Sequence, residues 1–165
     1  MKVYPENAFI QLEFDKVKTL LEQYCVTGFA KNRVAHIRLH TKLDHLLMEL
    51  RQVHEYKLII EQALYFPSDT AGDLKREIRL LGISGSMLTG EQWLQLRGLL
   101  QATESIFRWL NNQRREAFPN MTLVVKDTYY EKAIAAMIDE VVDEAGQVKD
   151  SASTDLARIR HSLYR

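Results

Sequence analysis

Thr89-Gly90-Glu91-Gln92-Trp93-Leu94-Gln95-Leu96-Arg97-Gly98-Leu99-Leu100-Gln101-Ala102-Thr103-Glu104-Ser105-Ile106-Phe107-Arg108-Trp109-Leu110 is the stretch on which the fold class turns. Trp93, Leu96, Leu100, Thr103, Phe107 and Leu110 recur at steps of three and four residues, with Leu99 and Ile106 flanking them. That spacing stacks side chains on one face of a helix with 3.6 residues per turn; a half-buried strand would alternate instead. At the front, Thr89 and Gln92 have the spacing of a capping box, in which each side chain takes a backbone N–H that the helix leaves unpaired. A long buried helix is expected here.

Working outward, the same period recurs on both sides. Upstream, Asp73 starts a helix carrying Leu74, Ile78 and Leu81 that stops at Gly82, and 82–86 form a turn. Before it lies a long helix with Leu43, Leu46, Leu47, Leu50, Val53 and Lys57, opened by Thr41 with Asp44 three residues on, and followed by a linker ending at Pro67. Thr27 caps a shorter helix with Phe29, Val34 and Ile37 facing inward. From about Asp15, the residues Phe14, Val17, Leu20, Leu21 and Tyr24 mark a buried stripe, and Pro5 opens a short turn ahead of it. Downstream, Pro119-Asn120 ends the section, and 121–125 suit a strand or a short buried helix equally. A helix from Tyr129 with Ile134, Met137 and Ile138 leads to a small β-hairpin near 141–149, in which Gly146 supplies a positive backbone angle. Ser153 or Thr154 caps a last helix lined by Leu156, Ile159 and Leu163, which meets no glycine, asparagine or proline before Arg165.

The expected fold class is therefore all-α: a bundle of about six to eight helices, one hairpin near 141–149, and a truncated C-terminal helix leading onward. Composition agrees, because seven glycines and three prolines in 165 residues leave few turns, while 46% hydrophobic residues suffice for a core. The 22 basic and 22 acidic residues cancel, which argues against a surface that is basic throughout but leaves room for a local basic face. Cys25 is alone, so the chain holds no disulfide framework and no cysteine-built zinc site; its place in an apolar stripe reads as packing. The first residues carry no apolar signal region and no run approaches the roughly 20 apolar residues that span a bilayer, so a cytoplasmic protein is expected.

Catalytic chemistry is hard to assemble from these residues. Gly85 and Gly90 have phosphate-loop spacing, but Glu91 and Gln92 follow where Lys and Ser or Thr are needed, and Glu91 would repel phosphate. His36, His40 and Asp44 stand four apart, yet Ile37 follows His36 in place of a catalytic carboxylate and Thr41 divides the set between helices. Asp139, Glu140, Asp143, Glu144 and Asp150 lack the alternation of a calcium loop and read as a solvated surface. No catalytic, cofactor-binding or metal site is expected. Arg158, Arg160 and Arg165, with His161, give the last helix a basic face, which from the residues alone reads first as a solubilising surface and second as a set of phosphate contacts; Arg108, Arg114 and Arg115 form a weaker cluster.

Two stretches resemble a known family. Tyr4-Pro5-Glu6-Asn7-Ala8 with 12–17 and Leu20-Leu21 is similar to the start of the bacterial MutS-two proteins. The segment 143–153, with Leu156, Arg158, Ile159 and Arg160, resembles that family's passage into its clamp helices. This implies a core-and-lever domain over 1–152 and the start of a coiled-coil clamp helix over 153–165. It also implies a homodimeric parent that is a DNA-binding ATPase without a mismatch-reading domain, using ATP and magnesium outside this segment and often carrying a nuclease domain. Branched or duplex DNA is the implied partner through the clamp, in the service of DNA recombination control, with the ribosome as another target in some members. Beside the core-and-lever reading stands a stand-alone helical interaction module offering Trp93, Trp109 or Tyr129-Tyr130 to a protein partner.

Overall fold

The computed structural model describes residues 4, 5, 7–67 and 72–163. Among them are ten α-helices and one 3-10 helix. In chain order the helices are α1 (Ala8–Gln11), α2 (Phe14–Gln23), α3 (Gly28–Ala35), α4 (Leu43–Glu61), α5 (Lys75–Leu81), α6 (Gly90–Trp109), α7 (Asn112–Ala117), α8 (Pro119–Val124), α9 (Lys132–Val141) and α10 (Thr154–Leu163), with the 3-10 helix at Asp150–Ala152. The all-α class stands. The count exceeds six to eight because α1, α7 and α8 are helices of one or two turns, too short to show a period. The ambiguous run at 121–125 falls in and just after α8, which Pro119 opens at its first position, where a missing N–H costs nothing and the fixed backbone angle suits a helix.

The chain divides into two units, one from the described part of Met1–Phe66 with Gln113–Lys126, the other from that of Pro67–Asn112 with Asp127–Arg165. In the first, α2 lies against α3, and α4 against α8. Its buried side chains include Ile59 and Phe118, and with them the charged Glu55, 7% exposed. Glu55 reaches from the middle of α4 to the start of α8, where its carboxylate accepts the backbone N–H of Asn120 at 3.1 Å and of Met121 at 2.7 Å, and the Asn120 side-chain amide at 2.5 Å. A residue 65 positions away thus caps a helix N-terminus, and the positive end of that helix favours the negative charge. The apolar stripe expected to be buried on α2 is instead open: Val17, Leu20, Leu21 and Tyr24 are all exposed. On α4, likewise, Leu43, Leu50 and Val53 face outward while Glu55 and Ile59 face in. This helix is apolar on more than one side, so periodicity fixed the helix without choosing its inner face.

In the second unit α6 and α9 pack side by side. Leu74, Leu96 and Ile138 form the centre of the core, with Leu88, Trp93, Leu99 and Leu100 against it. Trp109, Leu110 and Val142 are also buried. The capping box of α6 is present: Thr89 Oγ1 accepts the Gln92 N–H at 3.3 Å, and Gln92 Oε1 accepts the Thr89 N–H at 2.8 Å. Arg97 on α6 pairs with Asp139 on α9 at 3.2 Å.

Three local expectations resolve differently or in finer detail. The hairpin near 141–149 does not form strands; it is reduced to one antiparallel bridge, Val142 to Val148. Val141 remains the last residue of α9 and the 3-10 helix begins at Asp150, which leaves no room for a ladder. Between them the Asp143 carboxylate accepts the N–H groups of Ala145 at 2.9 Å and Gln147 at 2.8 Å, taking donors that a strand would use. Gly146 does adopt the positive backbone angle, φ 79°. Thr41 does not cap α4: the helix starts at Leu43, so Lys42 rather than Thr41 holds the capping position and makes no side-chain cap bond. Ser153 is the residue that caps α10, its hydroxyl accepting the Leu156 N–H at 3.1 Å, while Thr27 caps α3 as expected by accepting from Ala30 at 3.1 Å.

Candidate nucleic-acid interface

The basic face read from Arg158, Arg160 and Arg165 sits on α10, and its members have different surroundings. Arg158 is 81% exposed and, among the described residues, holds only Asp155 one turn back, at 3.3 Å. Such a pair in water contributes at most about 1 kcal/mol and separates readily when a phosphate competes. Arg160 is 35% exposed and turned toward its own chain, donating to the Val148 carbonyl at 2.9 Å and to the Asp150 carboxylate. It ties α10 to the bridge that replaces the hairpin. Arg165 lies outside the described residues. His161 is exposed on the same helix. Of the second cluster, Arg108 pairs with Glu104 at 2.7 Å on α6, whereas Arg114 and Arg115 lie on α7 in the other unit.

The remaining candidates have local structural duties. Gly90 and Gly146 cross so closely that a Cβ on Gly90 would stand 1.8 Å from the Gly146 carbonyl oxygen. The backbone that a phosphate loop would open toward its ligand is here packed against another strand of chain. His36 closes α3, its Nδ1 2.8 Å from the Asn32 carbonyl, and His40 Nε2 lies 2.9 Å from Glu49. With Asp44 on α4, the three occupy a helix end, a loop and a second helix, and no three His, Cys, Asp or Glu side chains among the described residues are arranged to hold a metal ion. Of the acidic group, Asp139 serves Arg97, Asp143 serves the turn and Asp150 serves Arg160.

The aromatic candidates are equally engaged. Trp109 is buried and Trp93 packs on the core. Tyr130 stacks on Phe107 with ring centroids 6.4 Å apart, and burial, followed by the Glu104 carboxylate, holds its phenol above the ordinary range. Tyr129 is 80% exposed, but its hydroxyl donates to Glu131 at 2.7 Å. That bond raises the Tyr129 phenol and lowers the Glu131 carboxyl, which also accepts the Ala133 N–H as the cap of α9. Two features were missed by reading motifs. Glu55 gave no signal, because its partners are 65 residues away. A cleft beside α3 gave one in the charge bias of 31–45, where Lys31, Arg33, Arg38 and Lys42 stand against Asp44 alone.

No family model matches the chain, and no solved structure matches it. Curated proteins do. The chain is 27% identical over 158 residues to Endonuclease MutS2 of Aquifex aeolicus (strain VF5), covering 96% of this chain and 20% of that protein. It is 24% identical over 154 residues to Endonuclease MutS2 of Latilactobacillus sakei subsp. sakei (strain 23K), covering 92% and 19%. With Endonuclease MutS2 of Halothermothrix orenii (strain H 168 / OCM 544 / DSM 9562) the identity is 23% over 167 residues, covering 97% and 21%. The chain spans about a fifth of the length of the curated relatives it matches. The likeness expected from the two ends of the sequence is thus found along nearly the whole chain, which is similar to about a fifth of these MutS2 endonucleases.

Proposed function

We propose that this chain is a non-catalytic core-and-lever segment of a MutS2-like protein that acts on DNA, with 153–165 beginning the clamp. The observation that carries the reading is the continuous similarity of over nine-tenths of the chain to about a fifth of Endonuclease MutS2. The build supports it. The two longest helices, α4 and α6, are rods of 19 and 20 residues, each near 30 Å at 1.5 Å per residue. The packed face of α6, seated on Leu74 and Ile138, suits passing on a displacement applied at one end, because a tightly packed interior resists compression. The exposed apolar stripes of α2 and α4 suit surfaces that other parts of a longer protein cover. Exposed Arg158 offers a phosphate contact on α10, with Arg160 available only after it leaves Asp150.

ATP hydrolysis and strand cleavage belong, in this reading, to residues outside the chain. The close approach of the Gly146 carbonyl to Gly90 supports leaving the Gly85–Gly90 turn out of nucleotide binding. The test uses the longer protein, with charge reversal at Arg158, Arg160 and Arg165. DNA affinity and the steepness of its salt dependence should both fall while basal ATP hydrolysis persists. Unchanged affinity and salt dependence would count against the clamp assignment.

A further inference from the structure

We infer that the cleft between the end of α3 and the start of α4 binds the phosphate backbone of a nucleic-acid strand. Arg33, His36, Arg38, His40 and Glu49 line a space of about 540 Å³ with Leu39. Arg33 and Arg38 have no ion pair or hydrogen-bond partner among the described residues, and both are exposed. The carboxylate lining the cleft, Glu49, lies 2.9 Å from His40 Nε2 and forms no ion pair with either arginine among the described residues, so two guanidinium charges face one carboxylate.

A local explanation covers only part of this charge. Cations gather at helix C-termini because the last carbonyls carry partial negative charge. Lys18 reaches the Ala35 carbonyl at 3.5 Å and His36 the Asn32 carbonyl at 2.8 Å, so these two serve the end of α3. Arg38 lies beyond the helix in irregular chain, where no dipole requires it. Two unpaired guanidinium groups in a concave site, one on a helix and one on the following loop, suit successive phosphates better than one small anion. Guanidinium and imidazole planes also stack on bases, which an acidic peptide lacks.

The choice of ligand rests on the DNA reading above, but the site is tested separately. The whole chain is titrated with a fluorescein-labelled 20-nucleotide single strand and with its duplex across a salt series. The expected result for the pair Arg33→Ala and Arg38→Ala is at least a tenfold loss of affinity at low salt. The log–log salt slope should become shallower by about 1.4 on the single strand and about 1.8 on the duplex, at roughly 0.7–0.9 per phosphate contact. The pair Arg33→Lys and Arg38→Lys should keep the slope, and circular dichroism should show unchanged helix content in both. No measurable binding by the parent chain, an unchanged slope in the alanine pair, or equal affinity for polyglutamate of matched charge would each overturn the proposal. Failure here leaves the lever reading intact, since that is read from the clamp arginines and ATP hydrolysis in the longer protein.

Discussion

The two units solve the same problem, holding helices together, by different means. The second does it with apolar contact: Leu74, Leu96 and Ile138 meet at a centre, and two glycines let the backbone cross beside it. The first adds to buried Ile59 and Phe118 a buried carboxylate, Glu55, while most of the apolar side chains of its long helix face outward. They differ in backbone economy too. Positive φ falls on glycine in the second unit, at Gly85 and Gly146, and on Glu13 and Ala63 in the first. The second unit is thus built to stand on its own packing, and the first to hold its shape by a polar lock while leaving apolar surface unused.

The largest effect that sharpens this contrast is expected from Gly90→Ala. The new Cβ would lie 1.8 Å from a carbonyl oxygen, an atom that moves only if the backbone does. The cost should reach or pass the upper end of the roughly 1–3 kcal/mol typical of overpacking. Hydrogen exchange should quicken in α5, α6 and α9, with α4 and α8 close to their original rates. Equal acceleration in all five helices would erase the division into two units.

Glu55→Ala probes the other side. It removes acceptors from two backbone N–H groups and one amide, all partly buried, so a loss of about 2–3 kcal/mol is expected. Exchange should now quicken in α8 and the middle of α4, with the core around Leu96 unaffected. Glu55→Gln keeps an acceptor oxygen and should recover part of the loss, which a purely steric role for the side chain would not explain. Were Glu55→Ala as stable as the original, the polar lock would be a bystander and the first unit would need another account.

These two residues also show how far the sequence could be read. Helices with a cap and one apolar face, such as α6, were legible down to the capping residue, because both signals are local. Thr27 was legible on the same grounds. The inner face of α4 was not, since Leu43, Leu50 and Val53 have the period of a buried stripe and only tertiary contact shows that Glu55 and Ile59 are the ones inside. The hairpin failed because the turn residues were right, Gly146 included, while the flanking valines were claimed by α9 on one side and left a single bridging pair. At the basic helix, spacing placed Arg158 and Arg160 near each other but could not reveal that Asp150 and Val148 hold the second. The family likeness, by contrast, was legible at the two ends of the chain and extends along its length.

The smallest effect has the opposite sign. After α4 the chain turns back with Ala63 at φ 51°, its N–H bonded to the Ile60 carbonyl at 3.0 Å and the Leu64 N–H bonded to the Ile59 carbonyl at 3.0 Å. This is the paired arrangement that usually ends a helix on glycine, because a Cβ in the left-handed region crowds the following carbonyl. Relief of that crowding is worth about 1–2 kcal/mol, and the greater freedom of glycine in the unfolded chain takes back about 0.5–1 kcal/mol. Ala63→Gly should therefore stabilise the chain by about 0.5–1 kcal/mol, measured by denaturant unfolding with an unchanged slope. The gain should appear as slower exchange in the last turn of α4 and nowhere in α6. A loss of stability instead would mean that the alanine methyl contributes packing, and that the first unit relies on apolar contact more than its exposed helices suggest.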